Sequence, residues 1–179
     1  MAISGEDKTA SAANGITLDA AQTVLTAARK KAEEIGVQMN IAVVDAGGNL
    51  TAFMRMDNAW LGSIDIAQSK AFSARAFDMP TKDLGAESQS GKSLFGINAS
   101  NQGKIIIFAG GIPLRENGKV VGAVGVSGGS VEQDQEVAEA GAAIFDAAAC
   151  ATSTLVRTVN PPVRPFHSGT NPSVTSRKR

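Results

Sequence analysis

Apolar positions along the chain follow two rhythms. Leu18, Ala21, Leu25, Ala28, Ala32 and Ile35 recur at alternating spacings of three and four, which predicts one amphipathic helix. Thr17 is placed to cap it, Asp19 sits in the first turn where the helix dipole favours an acid, and Gly36 is placed to end it. From Met39 the pattern tightens. Ile41-Ala42-Val43-Val44 predicts a strand buried on both sides, and Gly47-Gly48-Asn49 supplies a reversal into a returning strand, Leu50 to Met56. Asp57-Asn58 closes this first hairpin. Leu61, Ile64, Ala67, Ala71 and Ala74 restore the helical period and predict a second helix from about Ala59 to Phe77, stopped by Asp78-Met79-Pro80. Thr81 can cap a short helix reaching Gln89.

Ser90 to Gly103 is rich in Gly, Ser and Asn and reads as a loop. Ile105 to Ala109 predicts a third strand, broken by Gly110-Gly111 and resumed over Ile112 to Arg115. Asn117-Gly118 is the strongest turn signal in the chain and joins it to a fourth strand, Val120 to Val126. Gly122 and Gly125 in that strand predict close approach of a neighbouring element. Ser130 and Gln133 have capping-box spacing and start a final helix. That helix carries only Asp146 as a charge between Ala140 and Ala151, so it is expected to be buried or shared with another subunit. The order is helix, hairpin, helices, hairpin, helix. It predicts an α/β protein of the α+β type, with an antiparallel sheet built from two hairpins and flanked by helices. Residues 1–15 read as a lead-in, 16–157 as the domain, and 158–179, with four prolines, as an extended tail.

Seventeen basic and seventeen acidic residues cancel over 179 residues, which argues against a nucleic-acid binder. After Asp146 the chain holds no acid but does hold Arg157, Arg164, Arg177, Lys178 and Arg179. Spread so thinly, these read as a solvated tail. Cys150 is the one cysteine, so no disulfide forms within the chain. No apolar run reaches membrane-spanning length and no signal-peptide core is evident, so a cytoplasmic protein with no membrane partner is expected.

Histidine chemistry is nearly excluded, because the single histidine, His167, lies in the tail. Gly91-Lys92-Ser93 lacks the earlier glycine of a P-loop, since Ala86 stands there. Ser127-Gly128-Gly129-Ser130 at a helix start offers backbone N–H groups to a carboxylate or phosphate, or is an ordinary capped turn. The first hairpin is expected to bring Asp45 near Arg55 and Asp57, as a structural pair or Asx-turn or as the rim of a pocket. Lys70 lies among Ile66, Ser73 and Phe77; it either snorkels or is buried as a base or anion anchor. Glu87 and Asp134 are further partners for it. Met54 and Met56 share one strand face as core filler or soft ligands.

These segments resemble a known family. Val43-Val44-Asp45-Ala46-Gly47-Gly48, Phe53, Arg55-Met56-Asp57, Ser63, Ile66-Ala67 and Lys70-Ala71 carry one half of its pattern. Gly110-Gly111-Ile112-Pro113-Leu114, Val121-Gly122-Ala123, Gly125-Val126-Ser127-Gly128-Gly129 and Asp134 carry the other. The family is the GlcG/HbpS-like, or haem-degrading, domain family, which includes the C-terminal domain of PduO-type proteins. The resemblance spans roughly residues 16–150. It implies homo-oligomers, octamers among them, and haem or another tetrapyrrole as ligand. Yet the family-like core holds no histidine or tyrosine, and its soft donors are Met39, Met54, Met56, Met79 and Cys150. The expectation is therefore an oligomeric small-ligand-binding protein. The alternative is a cofactor-independent enzyme moving a proton on a small anionic or ring-derived intermediate. Asp45, Lys70 and Arg55 would carry its chemistry. Asp57, Glu87, Gly110, Gly111, Ser127, Gly128, Gly129, Ser130 and Asp134 would bind the ligand.

Overall fold

A computed structural model of the protein describes residues 15–159, with side chains as far as residue 147. Most of the expected lead-in and tail, His167 included, lies outside the described residues, as does the side chain of Cys150. The elements run α1 (Leu18–Glu34), β1 (Asn40–Asp45), β2 (Leu50–Arg55), α2 (Ser63–Ala76), α3 (Thr81–Glu87), β3 (Gly111–Glu116), β4 (Lys119–Ser127) and α4 (Val131–Val159). The four strands form one antiparallel sheet in the order β2-β1-β4-β3. The two hairpins thus lie side by side, joined by β1 against β4.

Strand alternation divides the core between the two faces. Ile41, Val43, Val124 and Val126 point to one face, where α1 brings Val24, Leu25 and Ala28 and α4 brings Val137 and Ala138. Ala42, Val44 and Ala123 point to the other, against Ala67, Ala71 and Ala74 of α2. This second face works at very short range. A β-carbon on Gly125 would stand 2.1 Å from the Ala67 carbonyl oxygen and 2.4 Å from the Ala71 nitrogen. Gly125 is therefore what lets α2 lie on the sheet.

Local signals fixed several boundaries. The Thr17 hydroxyl accepts from the Ala20 N–H at 3.2 Å. Asn117 and Gly118 both take positive φ, as a tight hairpin turn requires. Ser130 and Gln133 cap α4 reciprocally, at 3.3 and 2.9 Å.

Three expectations are corrected. Ile105–Ala109 forms no strand. The Ser73 hydroxyl on α2 donates to the Ser69 carbonyl at 2.7 Å and accepts from the Ile106 N–H at 2.9 Å, so this stretch is tied to a helix rather than to a ladder. The second helix begins at Ser63, not Ala59, and Leu61 is exposed. Thr81 is the first residue of α3 rather than its cap, and its hydroxyl instead accepts from the Gly111 N–H at 2.9 Å.

Candidate functional site

The C-terminal end of β4, the middle of α2, the segment around Gly110 and the first turn of α4 meet around one side chain. Lys70 is wholly buried. Its ammonium donates to Asp134 Oδ2 at 2.6 Å and to the Val126 carbonyl at 2.9 Å. The other oxygen of Asp134 accepts from the N–H groups of Gly128 and Gly129, each at 3.0 Å. Burial lowers the Lys70 pKa and raises that of Asp134, and in each case the partner's charge and hydrogen bond oppose the shift. The pair therefore latches α2, β4 and α4 together, with the polar atoms satisfied inside the protein.

Gly110 makes the latch possible. A β-carbon there would lie 2.8 Å from Lys70 Nζ, and its φ of +113° is one that few other residues adopt. Its N–H donates to Gln135 Oε1 at 2.9 Å and its carbonyl accepts from the Val126 N–H at 2.8 Å. Gly111 is equally confined, with the Lys70 carbonyl 2.5 Å from where a β-carbon would be. Just before them, the ring of Phe108 lies over the ammonium, 4.7 Å from Nζ to the centroid.

Phe108 is 38% exposed, and it opens onto a groove of about 510 Å³. Ile107, Phe108 and Ala109 form the floor. Ala86 of α3 and Val131 of α4 line its two sides, and Lys82, Glu132, Glu136 and Glu139 bring charge to it. The sequence reading missed this groove. Its signal was an apolar run ending in Gly-Gly, which resembles a buried strand until the Ser73 contacts are known.

The structure thus brings together Lys70, Asp134, Gly110, Gly111 and the turn from Ser127 to Ser130. The turn's N–H groups are directed at Asp134 and Gln133 of its own chain. Asp45 is elsewhere. It pairs with Gly122 in register, five residues back along β4 from Ser127, which is roughly 17 Å. Nor does it meet Arg55: in the antiparallel register Arg55 lies opposite Asn40, at the far end of the hairpin. The Arg55 guanidinium donates to the Ala59 carbonyl at 2.8 Å. With Asp57, Met54 and Met56 it lines a separate cleft of about 360 Å³. Glu87 ends α3, with Lys92 Nζ at 3.9 Å.

Asp45 forms an Asx-turn, its Oδ1 accepting from the N–H groups of Gly47 at 2.8 Å and Asn49 at 2.9 Å. Partial burial raises its pKa, but the hydrogen bonds from Asn49 and Gly47 and the charge of Arg75 outweigh this and hold it low. Its contribution to stability is therefore present above the ordinary carboxylate range and lost as pH falls through the folded-state value. Asp45→Ala should cost about 1 kcal/mol at pH 7, and less below about pH 4. Urea midpoints at the two pH values check this; a loss that stays constant with pH would remove the ionised turn as its cause.

The family described as haem degrading protein HbpS-like matches residues 16–143, most of the described domain. The chain belongs to the HbpS-like family. It is 48% identical over 124 residues to an uncharacterised 15.0 kDa protein of the dhaT-dhaS intergenic region of Citrobacter freundii, covering 69% of this chain and 87% of that protein. The crystal structure of Klebsiella pneumoniae protein ORFY superposes with a TM-score of 0.73 at 44% identity, over 80% of this chain and 99% of that one. A structure of PduOC in complex with haem gives a TM-score of 0.70 at 35% identity, over 72% and 94%.

Haem is the group that HbpS-like membership implies, and its iron usually takes His, Cys, Met or Tyr. None of these lines the groove above Phe108. Met39 is sealed in the core, and Met54 and Met56 line the other cleft. Among the described residues no three His, Cys, Asp or Glu side chains gather to hold a metal ion, and no helix is long and apolar enough to cross a membrane. Axial ligation of haem does not fit this groove. An apolar floor with an exposed aromatic ring suits a ligand held by its face.

Proposed function

We propose that this HbpS-like protein binds a planar ring ligand of tetrapyrrole size in the groove between α3 and α4, by stacking and burial rather than through an axial ligand. The observation that carries the reading is the half-open ring of Phe108 at the floor of a groove of about 510 Å³. The haem complex of a relative at 35% identity supports the ligand class. The proton-transfer alternative is less favoured, because Lys70 is sealed beneath Phe108 with both of its oxygen partners in place.

Haemin titration of the purified protein tests the reading. A saturable, shifted Soret band is expected at about one haem per subunit or per interface. Phe108→Ala should weaken binding about tenfold, the cost of roughly one lost aromatic contact. Unsaturable absorbance, or unchanged affinity in Phe108→Ala, would overturn it.

A further inference from the structure

The segment between α3 and the floor of the groove is the least packed part of the described chain. From Ser90 to Lys104 no residue is buried. The backbone N–H groups that are bonded there, from Lys92 to Lys104, reach acceptors only between Glu87 and Asn101. The loop therefore holds its own shape without resting on the domain. Yet Phe95 at its tip is 69% exposed, with Leu94 and Ile97 only half-buried beside it. A structured loop of this length that leaves an aromatic residue in water marks a contact surface.

Its charge is one-sided. Between Ser88 and Lys104 there is no acid, and Lys92 and Lys104 are the charges. Lys92 has only a loose partner, Glu87 at 3.9 Å. The groove beside it carries net negative charge, with Glu132, Glu136 and Glu139 against Lys82 over an apolar floor. Loop and groove are also neighbours, since Gln89, at the base of the loop, lines the groove. Adjacent, mutually complementary features are what a two-fold contact needs, because each copy then gives its loop and receives the other's.

We propose that the loop of one copy docks over the α3–α4 groove of a second copy, with Phe95 facing the Phe108 floor and Lys92 facing the Glu132 and Glu139 rim. The groove is then closed only in the assembled protein. One consequence rests on the ring-binding reading above: Phe95 of the second copy supplies the other face against a bound ring. The contact itself does not rest on it.

Sizing with light scattering at micromolar concentration tests the contact. The wild-type protein should run at a multiple of 18.3 kDa. Phe95→Asp should at least halve that mass while leaving the circular dichroism unchanged, because the side chain it replaces is exposed. Lys92→Glu should weaken the assembly, and adding Glu139→Lys to it should restore it. A single-chain wild-type mass, an unchanged mass in Phe95→Asp, or no restoration by the exchanged charges would each overturn the contact. Haemin titration reads the other claim separately: a wild-type assembly that dissociates in Phe95→Asp yet never binds haemin retires the ring ligand and leaves the interface standing.

Discussion

Asp134→Ala should cost the fold about 3–5 kcal/mol, and the melting temperature should fall by roughly 10 °C. The loss has two parts. Lys70 is left in a fully buried position with only the Val126 carbonyl and the Phe108 ring beside it. The N–H groups of Gly128 and Gly129 lose their acceptor at the start of α4. Asp134→Asn should cost less, because its amide oxygen still accepts from those two groups. Lys70→Met should show a steeper pH dependence than the wild type. Without the lysine, burial raises Asp134 unopposed by its main counter-charge, so the folded state binds a proton that the unfolded state releases above about pH 4. A group raised in this way stabilises at low pH and loses that contribution as pH rises. The variant should therefore be closest to wild type near pH 4 and furthest from it at pH 8. Denaturant midpoints across this range decide the matter; a loss under 1 kcal/mol in Asp134→Ala would show that the latch carries little of the fold.

Gly125→Ala is the second severe change. The added carbon would overlap the backbone of α2, at 2.1 Å from the Ala67 oxygen and 2.4 Å from the Ala71 nitrogen. Backbone cannot rotate away as a side chain can, so the whole helix has to lift from the sheet. Overpacking of this kind costs about 3 kcal/mol at the upper end of the usual range. It should also disturb Lys70, which sits one turn along the same helix. Gly62→Ala is the control: Gly62 has ordinary helical angles and nothing within 4 Å of an added carbon, so its cost should stay under about 0.5 kcal/mol. Equal stability of the two variants would show that α2 does not need this close approach.

Much of the architecture could be read before any coordinates. The three-and-four spacing from Ala21 to Ala32, the Asn117-Gly118 turn and the Ser130–Gln133 cap are local signals, and local physics decides them. Leu18 and Leu61 fit a helical stripe but end up exposed, because periodicity says nothing about what a residue will face. The Ile105–Ala109 run failed as a strand for a similar reason, since its partner turned out to be a serine hydroxyl more than thirty residues upstream. The candidate site divides along the same line. Asp134 was named beside Glu87 as a partner for Lys70, and folding brings that pair together with the glycines at 110 and 128. Asp45 and Arg55 were joined on the assumption that both lie at the same end of a hairpin. Antiparallel pairing separates them, because the end of one strand meets the beginning of the next.

Each hairpin closes between residues near in sequence, but Asn40 pairs with Ser127, about 85 residues further along the chain. Local turns form in microseconds, whereas a pairing of this reach must wait for a long loop to close. A chain that stops short of β4 leaves one side of β1 without its partner. The sheet knits at its centre only after β4 has emerged, and the latch at Asp134 follows within the next few residues. The centre of the sheet therefore cannot close without the last third of the chain.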